Sequence, residues 1–209
     1  MLNDTRVFEA NSQGGGAFGD LPEWDLSDLY ASEDAAELQA DLTWLKQSCI
    51  DFSNDYEGKL AQLNADEMLK AVERYEAIDI IAGRIMSFAG LRYYQLTTDP
   101  ERAKFMSDMQ DKLTEHTAKL VFYGLEFNRL HEEALSKLLS KNAALARYKP
   151  VFDRMRATKP YQLSDEMETF LHDQSVVGAA AWNRLFDETV ANLVFHIDGE
   201  DLPLEAAAN

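Results

Sequence analysis

The chain has 209 residues, 46% hydrophobic and 27% charged, the balance of an ordinary soluble globular protein of one large or two small domains. Its 37 Asp and Glu against 20 Lys and Arg give a formal charge of −17, which a nucleic-acid duplex or an anionic bilayer would repel, so neither is expected as a partner. Cys49 is the only cysteine, which precludes an intrachain disulfide, fits a reducing compartment and makes a cytoplasmic location the expectation.

Residues 1–20 carry Gly14-Gly15-Gly16 and no apolar run, so they read as a flexible tail and as neither a signal peptide nor a membrane span. From Ser32 the period is helical. Leu38, Leu42, Leu45, Cys49, Phe52 and Tyr56 recur at spacings of four and three, one apolar stripe that Gly58 ends. Asn64 with Glu67 forms a capping-box pattern that opens a long second helix through Val72, Tyr75, Ile78, Ala82, Ile85, Ala89 and Leu96. Asp99-Pro100 caps a third, expected to run through Phe105, Met109, Leu113, Leu120 and Phe127. Shorter helices are predicted over 132–140 and 143–157, the latter limited or kinked at Pro150. Ser164-Asp165-Glu166 starts another toward Asp173, and Gly178 separates it from a last helix over about 179–192.

The end of the sequence changes period. In "LVFHIDGEDLPLEAAAN", Leu193 to Asn209, Asp198-Gly199 sits between two alternating apolar runs, the signal of a two-residue hairpin turn. That register sets Ile197 opposite Glu200, Phe195 opposite Leu202 and Leu193 opposite Leu204. Leu193, Phe195, Ile197, Leu202 and Leu204 then share a face that a two-stranded ribbon cannot bury alone. The hairpin is expected to be disordered or to pair with another molecule, self-association included. Residues from Leu204 read as the first turn of a further helix. The fold class is all-α, a helical array of long antiparallel helices with a short C-terminal β-hairpin.

Catalytic inventories are thin. A zincin needs His-Glu-x-x-His, because two imidazoles one turn apart hold the metal while the glutamate activates water. "HEEAL", His131 to Leu135, has leucine where the second imidazole belongs and reads as a solvated helix start. The other histidines, His116, His172 and His196, stand far apart; Glu168 and His172 share a helix face at i, i+4 and suit a hydrogen-bonded pair better than a metal. There is no G-x-S-x-G, Walker loop or dinucleotide fingerprint. Cys49 is expected in the core; Tyr93-Tyr94 and Trp44 are candidates to line a ligand cleft, but aromatic residues at helical spacing are usually core, and that is the expectation here. No residue of the chain is assigned a catalytic, cofactor-binding or metal-binding role.

Three stretches carry a resemblance: "LPEWDLSDLY" (Leu21 to Tyr30), "KPYQLSDEMETFL" (Lys159 to Leu171) and "SVVGAAAWNRLFDE" (Ser175 to Glu188), followed by the Asp198-Gly199-Glu200 turn. In this order and spacing the chain resembles the N-terminal half of oligoendopeptidase F, of the thimet-oligopeptidase-like zinc metallopeptidases. Tyr161 departs from the histidine of many relatives. The resemblance implies a domain division into a tail (1–20), an N-terminal helical domain (21–192) and a hairpin that begins a catalytic domain (193–209). It also implies a parent that uses zinc to hydrolyse short peptides. In that family the metal ligands and general base match no position here, so this chain would bind no zinc, would be inactive alone, and would form one wall of the substrate channel. Trp182, Leu185 and Phe186 share a helix face expected to pack against the next domain, while Arg184, Asp187 and Glu188 pair along another. The competing reading is a stand-alone helical module that binds a protein or peptide in a groove.

Overall fold

The structure, a computed structural model, describes residues 24–208. The expected tail, residues 1–20, lies outside the described residues.

Helix α1 (Ala36–Tyr56) buries the stripe that its spacing defines: Leu38, Leu42, Leu45, Cys49 and Phe52. Trp44 falls one position off that stripe, about 100° around the helix, and is exposed rather than in the core. Gly58 takes a left-handed φ of +75° that turns the chain away. Helix α2 (Ala65–Gln95) starts with a complete capping box: Asn64 Oδ1 accepts from Asp66 N and Glu67 N, while Glu67 Oε2 accepts from Asn64 N at 2.9 Å. It stops one residue short of Leu96, which is exposed at the C-cap.

Asp99 caps α3 (Pro100–Thr117) by accepting from Glu101 N and Arg102 N. The single third helix expected through Phe127 is instead two. A 3₁₀ turn at Ala118–Leu120 separates α3 from α4 (Val121–Arg129). Thr117 Oγ1 donates back to Leu113 O at 2.8 Å, and His172 Nε2 lies 3.2 Å from Thr114 O, so side chains occupy carbonyls of the last α3 turn.

Helices α5 (Glu132–Lys141), α6 (Ala143–Ala146) and α7 (Lys149–Ala157) follow; the segment expected as one helix over 143–157 divides before Pro150, which sits in the first turn of α7. Arg156 of α7 donates to Phe127 O and Leu130 O, a cation placed on the carbonyls that end α4. Then come α8 (Asp165–Gln174), capped by Ser164 Oγ, and α9 (Ala179–Ala191). Strands β1 (Val194–Ile197) and β2 (Glu200–Pro203) pair antiparallel with Phe195 opposite Leu202 and Ile197 opposite Glu200, the predicted register. Asp198 and Gly199 both have positive φ, 53° and 86°, as a two-residue turn matched to strand twist requires. The ladder ends at Val194–Pro203, and Leu204, expected opposite Leu193, opens α10 (Leu204–Ala207).

Helices α1, α2 and α3 pack side by side, with short connections that make them antiparallel neighbours. Between them lies one core, with an aromatic centre in which Phe52 packs on Tyr56, Tyr75, Phe122 and Tyr123. Phe127 and Phe152, 4.6 Å between centroids, extend it to α4 and α7. Among the described residues the buried hydrophobic side chains run from Tyr30 to Phe152, with none beyond. The fold is thus all-α with a short C-terminal hairpin, and its core is closed before α8 begins.

Candidate functional surface

From Tyr161 onward the chain displays apolar side chains. Leu163, Met167, Phe170 and Leu171 on and before α8, Val177, and Leu193 to Ile197 around β1 are exposed. On α9, Trp182 is 70% exposed and Phe186 66%, with Leu185 beside them. The aromatic face of α9 is therefore open to water, an exposed apolar patch of the kind that marks interaction surfaces. The opposite side of α9 is held: Arg184 Nη1 donates to Ser107 Oγ of α3 at 3.0 Å. Of the expected pairings, Arg184 meets Glu188 at 3.9 Å, and Asp187 lines a cavity of about 170 Å³ with Arg184 and Tyr93. Tyr93 is buried, as expected, whereas Tyr94, one position around the helix, is exposed.

The hairpin is formed, in place of the disorder that was one expectation. Its strands pack on α10, and its five-residue apolar face stays at least partly open: Leu193, Phe195 and Ile197 are exposed, Leu202 and Leu204 half-buried.

Two adjoining cavities run along α4 and share Val121 and Gly124. The first, about 360 Å³, lies between α2 and α8, with Tyr75, Asp79 and His172 in its walls. The second, about 270 Å³, is lined by Asn128, Thr158, Tyr161, Gln162 and Glu168. Asn128 is the one buried polar residue among those described, 6% exposed. Its Oδ1 and Gln162 Oε1 have no hydrogen-bond partner among the described residues. A buried carbonyl oxygen left unpaired costs about 1–3 kcal/mol, so both sites call for a donor.

The sequence-singled residues do not assemble into a catalytic group. His131 is exposed at the start of α5. Glu168 and His172 do not act as a pair. Glu168 Oε1 accepts from Leu163 N at 2.8 Å, while His172 Nε2 faces Thr114 O and Thr117 Oγ1. Thr117 spends its hydroxyl hydrogen on Leu113 O, so both neighbours of Nε2 are acceptors, and the proton belongs on Nε2. No group of three or more His, Cys, Asp or Glu among the described residues could hold a metal ion. Cys49 is fully buried, and burial pushes its thiol pKa up to about 11. Burial likewise lowers the pKa of His116. No described helix is long and apolar enough to cross a membrane.

The family model for the N-terminal part of the M3 peptidases, described as oligopeptidase F, matches residues 126–195, from the end of α4 into β1. The chain is 24% identical over 155 residues to the plasmid-encoded oligoendopeptidase F of Lactococcus lactis subsp. cremoris, covering 73% of this chain and 25% of that protein. It is also 24% identical over 148 residues to an oligoendopeptidase F homolog of Lactococcus lactis subsp. lactis strain IL1403, covering 71% and 24%. The chain resembles oligoendopeptidase F. Its fold agrees with the crystal structure of oligoendopeptidase-F from Enterococcus faecium at a TM-score of 0.70 and 18% identity, over 83% of this chain and 33% of that one. It spans about a quarter of the length of the curated oligoendopeptidase F relatives it matches. The stretch matched to the family runs from the buried residues Phe127 to Phe152 through α8 and α9, where the apolar side chains are exposed, to Phe195 in β1.

Proposed function

We propose that this chain is the N-terminal, non-catalytic part of a zinc-dependent oligoendopeptidase, and that the apolar side chains of α8, α9 and the hairpin are where the rest of that enzyme docks. The observation that carries the reading is the end of the core at Phe152. Residues 165–203 fold into two helices and a hairpin without burying one hydrophobic side chain among them. Burying Trp182, Leu185, Phe186, Phe195 and Ile197 against a partner surface is worth on the order of 1.5–3 kcal/mol each before ordering costs.

In this reading the metal site and general base lie on the docked part. The described residues do not fit a zinc ion, and this chain contributes no step of the hydrolysis. Its role is to shape the space in which a short peptide is held, as one wall of the substrate channel, with Trp182 to Glu188 at the junction. The substrate class, oligopeptides, rests on the names of the relatives.

The test is an assay of the intact protein encoded by the genome against the isolated chain, using a short quenched-fluorescent peptide. The intact protein is expected to cleave it, to lose activity to a chelator and to regain it with zinc; the isolated chain is expected to be inactive. An intact protein without chelator-sensitive hydrolysis, or turnover by residues 1–209 alone, contradicts the proposal.

A further inference from the structure

Helices α8 and α9 turn polar side chains toward the core and apolar ones away from it. In α8 the half-buried residues are Glu168 and His172, whereas Met167, Phe170 and Leu171 are exposed. In α9 Arg184, Asp187 and Glu188 are half-buried, while Trp182, Leu185 and Phe186 are exposed. The half-buried apolar side chains that pack on the core run from Leu26 to Met155, with none from either helix among the described residues. A helix is normally held in a fold by burying its apolar stripe, and these two leave theirs in water.

What joins them to the core is polar and loosely fitted. Asp165 pairs with Arg129 of α4, His172 Nε2 meets Thr114 O of α3 at 3.2 Å, and Arg184 Nη1 donates to Ser107 Oγ of α3 at 3.0 Å. Three cavities lie along the same seam. The first, about 360 Å³, is lined by Ile78 and Leu120 of the core and by His172. The second, about 270 Å³, is lined by Leu125 and Asn128 of α4 and by Tyr161 and Glu168. Tyr93 and Met106 share the third, about 170 Å³, with Ala180 and Arg184. Atoms that border a void lack dispersion partners on that side, so packing across the seam is weak.

The later segment is continuous in itself. Gly178 N donates to Gln174 O at 2.8 Å and Ala180 N to Ser175 O at 3.2 Å, so hydrogen bonds run through the junction of α8 and α9. Asn192 N donates to Glu188 O and Leu193 N to Val190 O, which carries α9 into β1. Its link to α7 is residues 158–163, where the 3₁₀ turn Lys159–Tyr161 contains Pro160 and Gln162 is extended. Tyr161 in that link is 82% exposed.

We propose that residues 164–208 are an arm that swings off the core as one unit, about a hinge at residues 158–163, while α1 to α7 stay folded. The closed position is set by three polar contacts rather than by buried apolar area, so the arm leaves it without disturbing the aromatic centre around Phe52. Opening uncovers the walls of the seam, Leu120, Leu125 and Tyr93 among them. The arm needs no docked domain and no hydrolysis, so it stands or falls apart from the peptidase reading.

The test is native-state hydrogen exchange of residues 1–209, followed amide by amide by NMR in low urea. Amides of α8 and α9 are expected to share one opening constant, at least about a hundredfold larger than that of the slowest amides of α1, α2 and α3. Two variants address the contacts that hold the arm: Ser107→Ala on the core side and His172→Leu on the arm side. Each is expected to raise exchange about three- to tenfold throughout α8 and α9 and to leave α1 and α2 unchanged. Circular dichroism checks that both keep the fold. The proposal is overturned if α8 and α9 exchange only together with α1 to α3, in one global event. It is equally overturned if the two helices fray with separate constants, or if neither variant speeds exchange in both of them.

Discussion

Tyr30 Oη donates to Asp41 Oδ2 at 2.6 Å, and Arg84 stacks 4.3 Å over the Tyr30 ring while its Nη1 meets the same carboxylate at 3.2 Å. Arg84 also donates to Leu29 O, so one guanidinium ties the segment before α1 to both α1 and α2. Tyr30→Phe keeps the ring and its stacking but leaves Asp41 with Arg84 alone. Loss of a hydrogen bond to a charged acceptor is expected to cost about 1.5–3 kcal/mol, measured by urea denaturation. An unchanged midpoint would mean that the hydroxyl is solvated equally well in the unfolded chain.

The division between closed core and open face is tested by two truncations. Phe52→Ala empties the aromatic centre and is expected to destabilise by about 3–5 kcal/mol. Trp182→Ala removes a larger side chain from a site that is 70% exposed and is expected to change stability by no more than about 0.5 kcal/mol. Comparable losses at the two positions would show that α9 is packed more tightly than its exposure indicates.

Gly178 joins α8 to α9, and a Cβ there would lie 2.9 Å from the backbone oxygen of Gln174. Backbone cannot yield as a flexible side chain can. Gly178→Ala is expected to destabilise by about 1–3 kcal/mol and to raise hydrogen exchange first in α9, since the junction must open to admit the methyl. Uniform exchange across α1 to α3 would locate the strain elsewhere.

Burial holds the pKa of His116 below the ordinary histidine value of about 6.5, opposed by Glu115 and helped by Lys46 and Lys112. The unfolded chain therefore binds the proton more readily than the folded one. Stability is expected to be unaffected above the unfolded value and to fall as pH drops from about 7 through the folded value, with no further contribution below it. His116→Gln should flatten that part of the pH–stability curve. A slope unchanged in the variant would assign it to other groups.

Much of this architecture was legible in the residues themselves. The stripe Leu38–Leu42–Leu45–Cys49–Phe52 is buried as spaced, the Asn64–Glu67 box is closed, and Asp198-Gly199 sets the strand register, because each depends on neighbours in sequence. The break between α3 and α4 was not legible. Leu113, Leu120 and Phe127 keep a seven-residue period across it, and the carbonyl of Thr114 is engaged by His172, 58 residues away. The Glu168–His172 pair failed for the same reason, since each side chain found a backbone partner that spacing cannot reveal. Asn128 and Gln162 carried no signal at all.

The measurement that bears most directly on the peptidase reading is hydroxyl-radical footprinting of Trp182 and Phe186 in residues 1–209 and in the intact genome-encoded protein. Both side chains are exposed in the isolated chain and are expected to label readily there. In the intact protein, strong protection at these positions with unchanged labelling of exposed Trp44 is the expected result, because the remainder of the enzyme covers α9 and the hairpin. Equal labelling of Trp182 and Phe186 in both proteins would contradict the account.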